Sequence, residues 1–139
     1  MKLKDRVAIV TGGGKGIGEE ICLGLAKEGA KIVIAEIDIA NSENAKKKIL
    51  DAGSEAIIVK TDVSKKDSIN EMVEKAIQTF GKIDILINNA GIRHVKKLLD
   101  HSKQDWDDMI SVNLTAPFLA SQAVIPVSYT HLRAHETKS

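Results

Sequence analysis

Cysteine occurs once among the 139 residues, as Cys22. An intramolecular disulfide and a multi-cysteine metal site are therefore excluded, and a reducing, intracellular setting fits best. No charge sign dominates either: 20 Lys and Arg stand against 19 Asp and Glu, for a formal net charge of +1. That balance gives no sign of a polybasic surface for nucleic acid or lipid and leaves small ligands or peptides open. Long apolar runs are missing as well. After the basic start Met1-Lys2-Leu3-Lys4-Asp5-Arg6, the run Val7 to Val10 is too short for a signal-peptide core or a membrane span. A soluble cytoplasmic protein without membrane or nucleic-acid partners is expected. Histidines lack partners at metal or triad spacing. His131 and His135 are spaced i, i+4 but lie in an atypical tail, and His94 and His101 read as surface residues, so no metal site is expected.

What is present is a rhythm. Hydrophobic residues make up 43% of the chain, enough for the core of one globular domain. Four short runs rich in β-branched residues, Val7 to Val10, Ile32 to Ala35, Ala56 to Val59 and Ile83 to Ile87, recur with helical stretches between them. Their spacing, about one strand plus one helix, predicts a doubly wound α/β fold with a parallel sheet. The clearest helical stripe is Ile69, Met72, Val73, Ala76, Ile77 and Phe80. Ser64 with Asp67 predicts a capping box at its start, and Gly81 a left-handed residue at its end. Ser102 with Asp105 repeats the capping signal before a further helix carrying Trp106, Met109 and Ile110.

Between the first strand and the first helix lies Thr11-Gly12-Gly13-Gly14-Lys15-Gly16-Ile17-Gly18. Glycines let the backbone turn tightly and approach a pyrophosphate, whose charge is attracted by free N–H groups and the positive end of the helix dipole. A plain structural turn would use the same residues. The context argues for a ligand, because an acid, Glu36, ends the second strand 18 residues after Gly18. A carboxylate there accepts hydrogen bonds from ribose hydroxyls and repels a 2′-phosphate, which favours NAD over NADP. Lys15 complicates the choice, since a basic residue in the loop either receives a 2′-phosphate or is simply solvated. Asp38 reads as a surface acid. An ATP-binding loop is excluded because Gly16 follows Lys15 where Ser or Thr would hold magnesium.

Thr-Gly-x-x-x-Gly-x-Gly at 11 to 18, Asp62-Val63 after the third strand, Asn88-Asn89-Ala90-Gly91 after the fourth, and Asn113 in the helix beyond occur in an order that resembles the short-chain dehydrogenase/reductase pattern from about Leu3 to Ile125. The resemblance implies a Rossmann-type sheet in which Gly12, Gly14, Lys15, Gly16, Ile17, Gly18 and Glu36 hold the cofactor. Asp62 and Val63 would meet the adenine, although Asp62 also suits a helix start. Asn89, Ala90 and Gly91 would line the cofactor at the carboxyl end of a central strand. Asn113, the one residue placed in the catalytic apparatus, would mark a helix irregularity whose carbonyl holds a water of a proton relay, with Pro117 disturbing the helix just beyond it.

The serine, tyrosine and lysine of that family's chemistry come from a later strand and helix, which the sequence lacks. Tyr129 with Arg133 mimics the tyrosine motif, but it lies 16 residues after Asn113 where the family spacing is roughly forty. Beyond Ile125 the apolar pattern stops, and neither a strand nor a helical stripe is predicted. Residues Val127 to Thr137 resemble the in-frame translation of a transposase adapter used in sequencing libraries, with Pro126 at the junction. The expected organisation is thus an incomplete Rossmann domain at 1–126, cut after the fourth strand and its helix, and a non-native tail at 127–139. Its exposed fourth strand would leave the fragment poorly folded and prone to association. The parent would be an NAD(P)-dependent alcohol dehydrogenase or ketone reductase, similar to sugar-acid dehydrogenases and 3-oxoacyl carrier-protein reductases, acting on a small molecule as a homo-oligomer. A dinucleotide sensor without turnover is the other reading.

Overall fold

Parallel strands need crossovers that carry the chain back to the same end of the sheet, and helices supply them here. The computed structural model describes residues 1–92 and 96–136, with side chains through residue 127. Strands β1 (Val7–Thr11), β2 (Lys31–Glu36), β3 (Ala56–Lys60) and β4 (Ile85–Asn88) form one parallel sheet in the order β3-β2-β1-β4. In register, Ile9 lies beside Val33 on one side and Leu86 on the other.

Both faces are covered, which is why the strands read as continuous apolar runs. Helix α3 (Lys66–Phe80) lays Ile69, Met72, Val73 and Ala76 on the face formed by Val7, Ile9, Val33, Ala35 and Val59. On the other face, Cys22 and Ala26 of α1 (Gly16–Lys27) and Ala45 and Ile49 of α2 (Ile39–Asp51) pack with Ala8, Val10, Ile32 and Ile34. The fold is a Rossmann-type doubly wound sheet. Among the described residues β4 pairs only with β1, so one of its edges has no partner strand.

The helix ends follow the sequence signals with one exception. Gly81 closes α3 with φ of 80°, and Ser102 opens α4 (Lys103–Ile110) with a full capping box to Asp105. The expected box at Ser64 does not form. Ser64 instead donates its hydroxyl to Asp62 Oδ1 at 2.6 Å, and the Ser64 N–H reaches the same atom at 3.0 Å, so Lys65 becomes the cap position. The nearby carboxylate takes the serine first.

After α4 the chain widens into a π-helical turn, Ser111–Thr115, and continues as α5 (Ala116–Glu136). The Ala116 N–H bonds the Ser111 carbonyl five residues back, and Pro117 has no N–H with which to close an α-type bond to Asn113. Trp106, one of the apolar residues of α4, is 62% exposed, since no described element covers that face. The helix also persists where the sequence predicts none, running past Pro126 to Glu136. Residues 127–136 contain no glycine and no further proline, so nothing in that stretch breaks the helix once it has started. The stretch Lys103–Val127 is long and apolar enough to cross a bilayer, yet Ala116, Ala120 and Val124 are buried, the last two in the α3 side of the core.

Asp84 ties the start of the sheet to β4. It accepts the Val7 N–H at 2.9 Å and pairs with Lys82 at 3.2 Å and Arg6 at 3.5 Å. Burial pushes its carboxyl up, but the Val7 amide, Lys82 and Arg6 outweigh burial and hold it below its ordinary value. A depressed folded-state pKa stabilises the fold above the ordinary aspartate value of about 4 and ceases to do so as pH falls through the folded value. Urea midpoints should therefore show Asp84→Asn less stable than the parent sequence at pH 6, with the gap closing as the pH approaches 2.

Candidate cofactor-binding site

At β1 the sheet order reverses: the chain leaves toward β2 and β3, then returns to β4 on the other side. Such a switch point opens a crevice at the carboxyl ends of the strands. Here it is a cleft of about 480 Å³. Gly12, Lys15 and Gly16 line it from the glycine turn, Ala35, Glu36 and Ile37 from the end of β2, and Thr61, Asp62 and Val63 from the end of β3. Asn89, Ala90, Gly91 and Ile92 follow β4, and Val112 comes from the π-helical turn. Nine of the residues singled out in the sequence thus meet at one cavity, and Gly14, Ile17, Gly18 and Asn113 stand behind it or beside it.

The turn is built around Thr11, which is 2% exposed. Its hydroxyl oxygen accepts the N–H groups of Asn89 and Ala90, each at 3.1 Å, and donates to the Ile87 carbonyl at 3.4 Å. One side chain therefore joins the ends of β1 and β4. Gly12 adopts φ of +66°, a left-handed conformation that glycine alone takes without steric cost, and its carbonyl accepts Asn89 Nδ2 at 3.1 Å. Gly18 packs directly on that carbonyl. Ile17 is 74% exposed, with its backbone in the first turn of α1.

No side chain caps the start of α1. The first amides of a helix have no intrahelical acceptors, so this end offers donors and a positive dipole toward the cleft. Lys15, at the cap position, forms no ion pair among the described residues. Glu36 is nearly buried: Oε2 accepts from the Gly14 N–H at 3.2 Å and Oε1 from the Ile37 N–H at 3.2 Å. Free donors and an anchored carboxylate on one cleft suit a ligand with an anionic centre and a hydroxylated ring. The donor set and the narrow glycine turn thus fit a dinucleotide.

Asp62 lines the cleft, its carboxyl held below the ordinary value chiefly by the Ser64 hydroxyl, with burial opposing and the Ser64 amide and Lys65 adding to the effect. Its N–H donates to Ser68 Oγ at 2.8 Å. Asp38 caps α2 by accepting the Asn41 N–H at 3.2 Å. The Asn113 side chain clamps the loop after β4, with Oδ1 accepting the Ile92 N–H at 2.8 Å and Nδ2 donating to the Ile92 carbonyl at 2.7 Å. Cys22 lies under the loop, where burial foremost and the charge of Glu19 next push its thiol up to about 12, against its own backbone hydrogen bond. Its thiol donates to the Gly13 carbonyl at 3.6 Å and packs in the core. His94 and the side chains of Tyr129, His131, Arg133 and His135 lie outside the described residues, and His101 sits 3.2 Å from the Lys96 carbonyl. Thr11, Ile37, Thr61, Ile92 and Val112 were not singled out from the sequence. Only Thr11 carried a signal, as the first residue of the glycine motif.

The family model described as short chain dehydrogenase matches residues 6–133. An uncharacterized oxidoreductase of Thermotoga maritima is 39% identical over 120 residues, covering 86% of this chain and 47% of that protein. A CLA biosynthesis dehydrogenase/reductase of Lactiplantibacillus plantarum is 38% identical over 124 residues, covering 89% and 43%. Among solved structures, NAD+-bound xylitol dehydrogenase superposes with a TM-score of 0.90 at 30% identity, over 94% of this chain and 51% of that one. A Serratia marcescens short-chain dehydrogenase/reductase variant gives 0.88 at 31% identity, over 91% and 52%. The chain spans about half the length of the relatives it matches, and it belongs to the short-chain dehydrogenase family of oxidoreductases.

Proposed function

We propose that the full-length protein is an NAD-preferring dehydrogenase or reductase of an alcohol or ketone, and that this chain supplies its cofactor-binding half. Residues 1–126 are the native part in this reading, and 127–139 a foreign tail. The observation that carries it is the Glu36 carboxylate, anchored by backbone amides, lining the same cleft as the uncapped start of α1. The bound nicotinamide would supply or accept hydride. Amides of the Gly12–Gly18 turn would hold the pyrophosphate, Glu36 the adenosine ribose, Asp62 and Val63 the adenine, and Asn89 to Gly91 the wall nearer the nicotinamide. A carboxylate repels a 2′-phosphate, so Lys15 is left to the pyrophosphate or solvent. Sugar acids and 3-oxoacyl thioesters are the proposed substrate classes. A soluble, cytoplasmic homo-oligomer is proposed for the parent, with Trp106, Leu114, Phe118 and Ile125, all more than 60% exposed, as the apolar surface to be covered.

Calorimetric titration of the chain with NADH and NADPH tests this. NADH should bind at least tenfold more tightly, and Glu36→Ala should narrow that preference to near unity. Tighter binding of NADPH, or of neither, overturns the reading. A sensor that binds dinucleotide without turnover is the second reading. Turnover by the full-length parent would exclude it.

A further inference from the structure

Gly14 does not line the cleft, yet it is held between two buried side chains. Its N–H donates to Glu36 Oε2 at 3.2 Å, and a Cβ placed on it would lie 2.8 Å from Ser42 Oγ and 3.0 Å from Glu36 Cγ. Gly14 is not among the glycines with positive φ, so its backbone would accept alanine. The demand for glycine here is one of contact. Ser42, the fourth residue of α2, is fully buried, and its hydroxyl is committed to the Asp38 carbonyl at 2.9 Å. On the far side of the carboxylate, Oε1 is met by the amides of Ile37 at 3.2 Å and Asp38 at 3.5 Å. Both oxygens of Glu36 are thus pinned by backbone before any ligand arrives. The glycine turn pins one of them and the link from β2 to α2 the other.

We propose that Gly14 and Ser42 are positioning residues for cofactor choice: they leave the space in which Glu36 is seated toward the ribose hydroxyls of NAD and against the 2′-phosphate of NADP. The proposal rests on the NAD reading above. A carboxylate already ordered in its binding geometry loses little conformational freedom when the ribose docks, so its hydrogen bonds count nearly in full. A methyl group on Gly14 would push Glu36 off this seat without touching the cleft.

Dissociation constants of the full chain for NADH and NADPH test the proposal. Gly14→Ala should weaken NADH about tenfold and NADPH much less. Ser42→Ala removes the atom nearest the new methyl, so Gly14→Ala/Ser42→Ala should recover part of the loss. In a Glu36→Ala background, Gly14→Ala should change NADH binding by less than about twofold, because its effect passes through Glu36. Equal weakening of both cofactors, or full additivity with Glu36→Ala, overturns the proposal. If Gly14→Ala does not fold, Ser42→Ala alone removes the hydroxyl that borders the gap, and unchanged selectivity there overturns it equally. If the parent sequence binds no dinucleotide or prefers NADPH, the NAD reading fails on its own. The seat is then judged without ligand: the Gly14 amide should lose hydrogen-exchange protection and its resonance should move in Glu36→Ala, and a Gly14 amide indifferent to that change sinks it.

Discussion

Gly18→Ala is expected to unfold the glycine turn and abolish dinucleotide binding, although alanine is the better helix former. An alanine Cβ at this position would lie 2.0 Å from the Gly12 carbonyl oxygen and 2.6 Å from Asn89 Nδ2. Neither neighbour can yield cheaply. The Gly12 carbonyl is backbone in a left-handed turn, and Asn89 Nδ2 is the donor that holds it at 3.1 Å. Overpacking against backbone, together with a lost hydrogen bond, should cost about 3 kcal/mol, a fall in Tm of roughly 10 °C. Gly24 lies on the same helix, and a Cβ there meets nothing within 4 Å. Gly24→Ala should therefore stabilise the chain, by up to about 1 kcal/mol. Opposite signs for two identical substitutions six residues apart, read by thermal unfolding, would separate close packing from helix preference. Equal shifts would refute the packing argument.

The contrast also shows what a sequence can carry. Gly12, Gly16 and Gly18 stand out by spacing, but the spacing does not say that Gly12 needs its φ and Gly18 its lack of a side chain. The strands were legible because each is a buried apolar run bracketed by turn residues, and β1, β2 and β3 fall within a residue or so of those runs. Strand β4 begins at Ile85 and not at Ile83, because Asp84 turns its carboxylate to the Val7 amide while Ile83 is already in the core. A pattern of apolar residues cannot register that interruption.

Polar competition is what the sequence hid most effectively. Ser64 and Ser102 present the same capping signal and each follows an aspartate by two residues, but only the Ser64 hydroxyl turns back to that aspartate, and only Ser102 forms the box. In the site, Glu36 was legible from its distance to the glycine motif and Asp62 from the family resemblance, whereas Ser42 lies in a segment without a motif and Ile92 just beyond the Asn88–Gly91 motif. Their roles arise from packing between elements distant in the chain: Ser42 meets Gly14 across the α1–α2 side of the sheet, and Ile92 meets Asn113 across the loop after β4. The persistence of α5 beyond Pro126 was missed for the converse reason, since a helix already started continues where no residue breaks it, without an apolar stripe to announce it.

Thr11→Val is the substitution that tests this hidden polar architecture most severely, because it preserves shape and removes one oxygen. The Thr11 hydroxyl accepts two backbone amides, Asn89 and Ala90, at a place where the side chain itself is 2% exposed. Valine fills the same volume but leaves both donors without their acceptor. The two amides are only partly buried, so each sits at the low end of the cost of about 1 to 3 kcal/mol for an unsatisfied donor, and a loss of roughly 2 kcal/mol is expected from a change that creates no cavity. The damage should be local in its consequences: Asn89, Ala90 and Gly91 wall the cleft, and NADH affinity should fall together with the hydrogen-exchange protection of their amides. Thr11→Ser keeps the hydroxyl and gives up only a methyl group, so it should retain most of the affinity at a cost of about 1 kcal/mol. If valine keeps the affinity and serine loses it, the methyl group matters and the hydroxyl does not, and β1 and β4 are joined by their ladder alone.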